Sequence, residues 1–489
     1  MKSIICSRDG KRRIFWPYDE EENIMAQSTQ SDDNLFRILL YRTDSYEVLV
    51  ETTDNGLRVP AVAIPRHSRV AEQITAETRK RWNLTVCCLF LLPSDTGSQD
   101  TAHYQIAEVC QPDSTLPPRM RWCLTGSLSV RQFAEAPDFE AIRDSRTTLD
   151  RYREGTLPGF FGRPGWLRVV TDWVAENAAA SGLQLTGKFC QFNSSPTFSL
   201  LRFETNRAAL WFKAVGEPNA HECALTLYLA RLLPGLVPRV IASNHEWNAW
   251  LSVESEGSHL TSASPLRHWQ EAASAFARLQ HATIGNALHF IEAGCKDTRA
   301  STLLRLVGPF FDFVAQLMEE QAKPTPAALS RKAIQSLARD IEVSLEQLAA
   351  GDLPNLLGHL DLNPANILVS ETRCVFLDWA EGAVGHPFFS FEYLREHWRK
   401  LHRAGLTAEK ALVSAYAKEW RSFYSPTAID TAFERAPLLA AFAHAVVGTS
   451  WQSPETFRKC KFALYLRSLT RRMKREADAL RERRAVCAA

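Results

Sequence analysis

The chain has 489 residues, of which 45% are hydrophobic and 23% are charged, and its formal net charge is +2 at pH 7. A chain of this length exceeds the size of one ordinary core, so we expect two or three folded domains. The small net charge gives no general reason to expect nucleic acid or an anionic membrane as a partner. No segment reaches the run of about 20 apolar residues that a membrane span needs.

Cysteine usage and the start of the chain indicate a reducing compartment. The 11 cysteines are scattered singly, apart from the neighbours Cys87 and Cys88. No CxxC pair and no Cys/His cluster with metal spacing is present, which argues against a zinc site. The first residues, MKSIICSRDGKRRIFW, contain no apolar run long enough for a signal peptide. We therefore expect a cytoplasmic protein.

The first part of the chain predicts a mixed α+β domain. Residues 1–33 end in a polar, acidic stretch, and this composition predicts a flexible segment, or lead-in, before the first domain. A β-hairpin is then predicted by FRILLYR and YEVLVETT. A strand is predicted by VPAVAIP, and a helix by RVAEQITAETRKRWNL. Two more strands are predicted by TVCCLFLL and HYQIAEVC. We expect this domain over residues 34–145 and a connecting segment over 146–184, where LPGFFGRPGW marks a change of composition.

The rest of the chain predicts two lobes. Residues 185–257 contain three strand patterns (QLTGKFCQF, TFSLLRFET, AALWFKAV), one helix pattern (AHECALTLYLARLL) and two more strand patterns (RVIASN, AWLSVES). Residues 258–489 are mainly helical, interrupted by the apolar runs NILV and CVFL. The sequence therefore predicts an α+β fold in which a strand-rich small lobe joins a helical large lobe, an arrangement that favours a ligand site at the join.

The C-terminal segment from Phe457 to Arg484 carries eleven Lys or Arg and three acidic residues. Phe462, Leu466 and Leu469 have helical spacing, which predicts a last helix that packs this stripe and exposes its charged face. A basic docking surface for an anionic partner is the alternative.

A polar cluster stands beside two of the short apolar runs. The stretch GHLDLNPANILV, residues 358–369, contains His359, Asp361 and Asn366, and Asp378 follows twelve residues after Asn366 at the end of the next run. A loop cap before Asn-Pro is the structural alternative for Asp361. We expect His359 to brace the loop by bonding backbone rather than to take part in the chemistry.

Nucleotide-dependent phosphoryl transfer needs a carboxylate for the attacking hydroxyl, oxygen ligands for Mg²⁺ and a held cation on the phosphates. Asp361 fits the first role, and Asn366 with Asp378 fits the second. Lys213 ends the apolar strand ALWFKAV and fits the third, and Glu222 opens the next helix as its partner. The alternatives are a solvated strand lysine and a carboxylate placed by the helix dipole.

The order and spacing of these residues follow the H-x-D-x-x-x-x-N pattern and subsequent aspartate of protein kinases. A protein kinase itself is disfavoured, because GAVGHPFFSFEYL follows Asp378 directly, without A-P-E and with little room for an activation loop.

The segments GHLDLNPANILV, VFLDWAEGAVGHPFF and HECALTLYLARL resemble the aminoglycoside phosphotransferase-like kinases, which include choline and homoserine kinases, over roughly residues 185–470. The resemblance implies ATP and Mg²⁺ as cofactors and transfer to the hydroxyl, less often the amine, of a small-molecule acceptor. It implies that Asp361 is the catalytic base, that Asn366 and Asp378 are magnesium ligands, and that Lys213, held by Glu222, contacts the phosphates.

The same resemblance implies that AWLSVESEG is the lobe hinge, whose backbone meets adenine near Glu254 and Glu256. The turn NSSP lacks the glycines of protein kinases, and we expect Ser194 and Ser195 with nearby backbone N–H groups to hold phosphate oxygens. The family often has a G-D-P segment and a second acid where this chain has GHPFFSF, which leaves the electrostatics of the substrate side open. Glu381 and Glu392 are candidates to meet a cationic acceptor.

The N-terminal domain resembles a Nudix hydrolase in its strand–helix order. The metal signature R-E-x-x-E-E is absent: the helix offers Glu72 and Glu77, followed by Arg79, Lys80 and Arg81. We therefore expect a non-catalytic module that serves substrate gating or formation of a homodimer. This degenerate module also motivates a second hypothesis for the whole chain, a nucleotide-binding scaffold without turnover.

Overall fold

The computed structural model of the chain describes residues 33–66, 68–93, 103–110, 116–371, 373–402, 406–448, 451–452 and 460–488. The expected lead-in over residues 1–33 lies outside these residues, except that Asp33 begins the first strand. None of the described helices has the length and apolar character needed to cross a membrane.

The N-terminal region is a seven-stranded sheet with one helix against it. The predicted hairpin and the predicted helix, α1, are present, and α1 buries Ala71 and Ile74 against the sheet. The strand order is β3-β2-β1-β6-β5, with β4 paired to β1 and β7 paired to β2. The likeness to Nudix hydrolases stays a prediction. The elements are β1 (Asp33–Arg42), β2 (Glu47–Thr53), β3 (Gly56–Arg58), β4 (Ala61–Pro65), α1 (Val70–Trp82), β5 (Val86–Leu91), β6 (His103–Val109) and β7 (Met120–Leu124).

Two helices follow, α2 (Ala136–Arg153) and α3 (Trp166–Ala180). Helix α2 runs without a break through residue 145, where we expected the first domain to end. Its start is fixed to the sheet by Asp138, whose carboxylate is fully buried and accepts hydrogen bonds from Arg37 and from the N–H of Val59. The boundary expected between the N-terminal domain and the connecting segment therefore falls inside α2.

The small lobe is a five-stranded antiparallel sheet in the order β11-β12-β10-β9-β8, with one helix, as predicted. Because side chains alternate along a strand, β10 turns Leu210, Phe212 and Ala214 to one face and Trp211 and Lys213 to the other. The elements are β8 (Leu185–Ser195), β9 (Phe198–Thr205), β10 (Leu210–Ala214), α4 (His221–Leu232), β11 (Val240–Asn244) and β12 (Ala249–Val253).

The face of the small-lobe sheet that lies away from Lys213 is buried against the N-terminal region. One apolar core contains Tyr41 of β1, Val170 of α3 and Phe212 of β10. The two sheets also meet edge to edge, because β5 and β8 are each the last strand of their sheet. The buried Gln191 side chain joins them: it accepts from the N–H of Cys88 at 2.7 Å and donates to the carbonyl of Cys88 at 2.9 Å.

The large lobe is mainly helical, with two small three-stranded sheets that carry the polar cluster. Its elements are β13 (Ser258–His259), α5 (Leu266–Ala282), α6 (Ala287–Glu292), β14 (Lys296–Thr298), α7 (Ala300–Glu319), α8 (Arg331–Ala349), β15 (Leu356–His359), β16 (Ile367–Val369), β17 (Cys374–Phe376), β18 (Gly382–Gly385), α9 (Phe388–Leu401), α10 (Leu406–Arg421), α11 (Pro426–Val447) and α12 (Cys460–Ala488).

The C-terminal helix α12 packs into the large lobe, as predicted from its apolar stripe. Leu466 and Leu469 are buried in the main core, and Phe462 packs against it. Several of its arginines bind within the lobe: Arg467 donates to the carbonyl of Leu317, and others pair with acidic side chains of α8 and α9. These contacts support a packed helix rather than a basic docking surface.

We expect Gln191→Leu to lower the free energy of unfolding by about 2 kcal/mol, because the buried N–H and carbonyl of Cys88 lose their partner. Urea denaturation followed by fluorescence measures the change. Gln316→Leu, at an exposed position of α7, is the matched control and should change stability by less than about 0.5 kcal/mol. Equal losses in the two variants would contradict the bridging role of Gln191.

Candidate active site

The loop after β15 places Asp361 and Asn366 side by side. Asn363 caps the short 3₁₀ turn Pro364–Asn366 by accepting from the N–H of Ala365, which directs the chain back into β16. The amide nitrogen of Asn366 donates to the carbonyl of Asp361 at 3.0 Å and to its carboxylate at 3.3 Å. Asp361 and Asn366, whose spacing was noted in the sequence, are therefore joined within one hydrogen-bonded loop.

His359 braces this loop, as predicted. Its Nδ1 accepts from the N–H of Asp361 at 3.2 Å, so its proton lies on Nε2, which donates to the carbonyl of Leu377 at 3.0 Å. The ring is fully buried and lies against Trp379, with 4.9 Å between ring centroids. The histidine thus ties the segment of Asp361 to the segment of Asp378.

The pairing of β16 with β17 brings Asp378 beside Asn366. Ile367 pairs with Phe376, and just beyond this pair the N–H of Leu377 donates to the carbonyl of Asn366 at 2.8 Å. Asp378 itself has a positive φ of 61°, a left-handed conformation that costs energy for a residue with a side chain. Such strain at a carboxylate next to a polar cluster is typical of functional sites.

Lys213 connects the two lobes at this point. Its Nζ lies 2.5 Å from Glu222 Oε1 in α4 and 2.8 Å from Asp378 Oδ1 in the large lobe. Burial lowers the pKa of Lys213, but the two carboxylates raise it further, so the net shift is upward and the ammonium stays charged. Burial raises the pKa of Glu222 to about 7, although the ammonium opposes this shift.

The carboxylate of Asp361 has further donors that the sequence did not indicate. The hydroxyl of Tyr393 in α9 donates to Oδ1 at 3.2 Å, and the side chain of Asn363 donates to the same oxygen at 2.9 Å. Burial and the charge of Asp361 raise the pKa of Tyr393 well above its usual value, so its hydroxyl remains a donor at neutral pH. No local pattern reveals this partner, because it lies 32 residues along the chain.

An aromatic wall lines the Lys213 face of the small-lobe sheet. Trp211 lies on this face, two residues before Lys213, and its ring contacts that of Phe192 in β8 at 4.9 Å between centroids. The indole N–H of Trp211 donates to Glu254, which also receives two hydrogen bonds from Arg202. The spacing of two residues from Lys213 in a strand is the signal that would have identified Trp211.

The structure modifies the roles expected for the hinge acids. Glu254 lies directly after β12, but its N–H donates to the carbonyl of Ala209 and its side chain fastens the hinge to β9 and β10. Its N–H is thus engaged within the sheet rather than presented to a base. The side chain of Glu256 is 85% exposed and lies 3.7 Å from Arg373, so it points to solvent.

Only one of the two predicted phosphate-turn serines shares the face of Lys213. Ser194 pairs with Ser199, which is fully buried on the opposite face of the sheet, whereas Ser195 pairs with Phe198. Alternation along the strand therefore puts Ser195 on the Lys213 face and Ser194 on the other. The tight turn Pro196–Thr197 follows.

Ser390 of the GHPFFSF segment supports the loop that carries Asp361. The Ser390 hydroxyl is buried and accepts from the N–H of His359 at 2.8 Å. Burial lowers the pKa of His386 to about 3, so this imidazole is neutral. The suggestion that Glu392 meets a cationic acceptor is wrong, because this carboxylate is buried and paired with two arginines of its own helix. Glu381 is paired with Lys296.

Asn366 and Asp378 fit a magnesium ion. The amide nitrogen of Asn366 is used in the bonds to Asp361, so its oxygen is the atom left to ligate. Asp378 supplies a carboxylate beside it. Mg²⁺ usually takes one or two protein oxygens and completes its octahedron with water and phosphate oxygens, so this donor set suits it.

Residues 217–423 match the phosphotransferase enzyme family, a range that contains Glu222, Asp361, Asn366 and Asp378 and begins four residues after Lys213. No curated protein sequence matches the chain. The similarity to that family therefore covers the polar cluster of the large lobe and Glu222.

Three solved structures are similar to this chain at low sequence identity. The macrolide 2'-phosphotransferase from Brachybacterium faecium is 20% identical, with a TM-score of 0.39, over 61% of this chain and 96% of that chain. The ethanolamine kinase from Plasmodium vivax is 12% identical, with a TM-score of 0.44, over 68% and 93%. The choline kinase from Cryptosporidium parvum is 11% identical, with a TM-score of 0.43, over 64% and 97%.

We expect Lys213→Met to destabilise the protein in a pH-dependent way. Loss of the ammonium raises the already elevated pKa of Glu222, so the folded chain keeps a proton that the unfolded carboxyl loses near pH 4.3. Wild-type Glu222 itself releases its proton near pH 7, so both proteins lose stability as pH rises from about 4.5 to 7, and only the variant loses more above pH 7. The loss relative to wild type should therefore be about 3 kcal/mol at pH 8 and smaller at pH 5.

Urea denaturation at pH 5 and pH 8 measures this difference. Lys188→Met, at an exposed position of the same sheet, is the control and should differ from wild type by the same small amount at both pH values. A loss for Lys213→Met that is the same at both pH values would show that Glu222 is not held by the lysine.

Proposed function

We propose that the chain is an ATP- and Mg²⁺-dependent phosphotransferase that acts on a hydroxyl, less often an amine, of a small-molecule acceptor. The observation that carries this proposal is the position of Lys213, whose ammonium contacts both Glu222 and Asp378, while Asn366 beside Asp378 is bonded to Asp361. Cation, metal ligands and candidate base are thus within one connected network.

Lys213 would bind nucleotide phosphates as a point charge, with Glu222 holding its ammonium in place. Bound Mg²⁺ would neutralise charge that develops on the phosphates. Asn366 and Asp378 would hold the ion, Asp378 from a backbone with a positive φ of 61°. Ser195 and the adjacent turn would cover the phosphates from the small lobe.

Asp361 would accept or orient the proton of the attacking hydroxyl. Tyr393 and Asn363 both donate to Oδ1, which fixes the carboxylate plane. The side chain of Asn366 donates to Oδ2 at 3.3 Å, and we assign the acceptor proton to this carboxylate. Tyr393 is thus a positioning residue for the base.

The base of the nucleotide would lie against the wall formed by Trp211 and Phe192. Trp211 lies on the same face of β10 as Lys213, two residues nearer the hinge. A nucleotide whose phosphates reach Lys213 would therefore place its base against Trp211. Aromatic faces suit a planar base, and Glu254 fixes the indole by accepting its N–H.

We expect wild-type protein to bind ATP in the presence of Mg²⁺ and to bind it much more weakly with EDTA. Asp378→Asn should reduce affinity for Mg-ATP by more than about tenfold, because it removes a charged metal ligand while keeping the size of the side chain. Isothermal titration calorimetry measures both effects. Asp312→Asn, at an exposed position of α7, is the control. Wild type that binds neither ATP nor GTP would contradict the proposed function.

We expect Asp361→Asn to retain binding of Mg-ATP and to lose turnover by about 10²- to 10⁴-fold, because the amide cannot accept the acceptor proton. ADP formation is measured over a panel of small alcohols, amino alcohols and sugars. If wild type binds Mg-ATP but forms no more ADP than Asp361→Asn with any acceptor, a nucleotide-binding scaffold without turnover is the better description.

A further inference from the structure

Arg69, the residue before helix α1 of the N-terminal domain, reaches the nucleotide half of the cleft. Its guanidinium carbon lies 5.0 Å from the centre of the Phe192 ring. Phe192 in turn contacts Trp211, and both Arg69 and Phe192 are at most 5% exposed. A residue of the first domain therefore packs directly behind the proposed base wall.

The charge of Arg69 also acts on a histidine of the large lobe. Burial lowers the pKa of His259, and the charge of Arg69 acts in the same direction. His259 lies in β13, directly after the hinge, and pairs with Leu368 of β16. Strand β16 directly follows Asn366, so β13 pairs with the strand next to this proposed metal ligand.

The phosphate end of β8 is held from the same side. The N–H of Phe161 donates to the carbonyl of Pro196, at the turn after Ser195, at 3.0 Å. Gly159 has φ of 109°, and a Cβ there would lie 2.5 Å from the same carbonyl, so only glycine permits this approach. Phe160 stacks on Trp247 at 4.9 Å. The turn is therefore fastened to the segment between α2 and α3.

Strand β8 is thus attached at three points to chain that precedes it: through Phe192 to Arg69, through Gln191 to Cys88, and through Pro196 to Phe161. In the proposed function this strand covers both the base and the phosphates. A strand at the edge of a small sheet is otherwise free to move, since it has a partner on one side only.

We propose that the N-terminal domain forms part of the nucleotide site, and that Arg69 is a positioning residue that holds the Phe192–Trp211 wall in the shape that receives the base. This inference rests on the proposed function. A cation over an aromatic ring in a desolvated contact favours one ring orientation, and a wall fixed before binding avoids the ordering cost that a mobile wall imposes on the ligand.

The test compares three variants for affinity to Mg-ATP by calorimetry and for amide hydrogen exchange without nucleotide. Arg69→Gln removes the charge, Arg69→Lys keeps it, and Arg42→Gln removes an arginine that lies over Trp122 in the same domain at 4.5 Å. We expect Arg69→Gln to weaken Mg-ATP binding about tenfold and to raise exchange in residues 189–195. Arg69→Lys and Arg42→Gln should each weaken binding less than about threefold.

Each outcome bears on the inference. If Arg69→Gln and Arg42→Gln weaken Mg-ATP binding equally, or if exchange in 189–195 is unchanged by Arg69→Gln, then Arg69 stabilises the domain only and the inference is wrong. If wild type binds no nucleotide, the proposed function fails. The exchange measurement then still decides whether Arg69 holds β8, because it needs no ligand.

Discussion

The contact on which the site depends is the ammonium of Lys213 between two carboxylates. Glu222 is almost fully buried, and a buried carboxylate without a partner is strongly destabilising. When both carboxyls are ionised, one ammonium faces two negative charges, so the cluster has an excess of one negative charge. A divalent cation together with nucleotide phosphates is a natural complement to it. The same contact links the small lobe to the large lobe, so the interlobe geometry and the electrostatics of the site are set together.

Backbone interactions, more than side chains, fix the large-lobe half of the site. The short pairing of β16 with β17 places Asn366 beside Leu377, and His359 bonds backbone on both sides of this pair. Ser390 in turn accepts from the N–H of His359. Ser390 therefore helps to hold the segment of Asp361 through His359.

The sequence predicted the residues whose positions follow from local structure. Asp361, Asn366 and Asp378 lie within 18 residues on a loop and two paired strands, and Lys213 and Glu222 lie on a strand and the next helix. It failed where the outcome depends on register or on distant contacts. The irregularity between Gln191 and Asn193 shifts β8 by one residue, and such a shift exchanges the faces of the residues beyond it.

Distant contacts account for the remaining differences. Tyr393 of α9 bonds Asp361, and Arg69 contacts Phe192, 123 residues later in the chain. No local sequence pattern predicts either contact. Glu392 looked available because it follows Asp378 closely, but its own helix supplies two arginines at spacings of three and seven residues. That helical spacing was present in the sequence and could have excluded it.

The join between the two sheets constrains how the lobes can move. Strands β5 and β8 are both sheet edges, and an edge exposes unpaired backbone groups. Gln191 supplies one donor and one acceptor to Cys88, as a neighbouring strand would, while a single apolar core continues across the join. Separating the sheets would expose that core and leave these groups unpaired. Any opening of the cleft must therefore carry the N-terminal sheet with the small lobe, so such motion would turn about the hinge after β12.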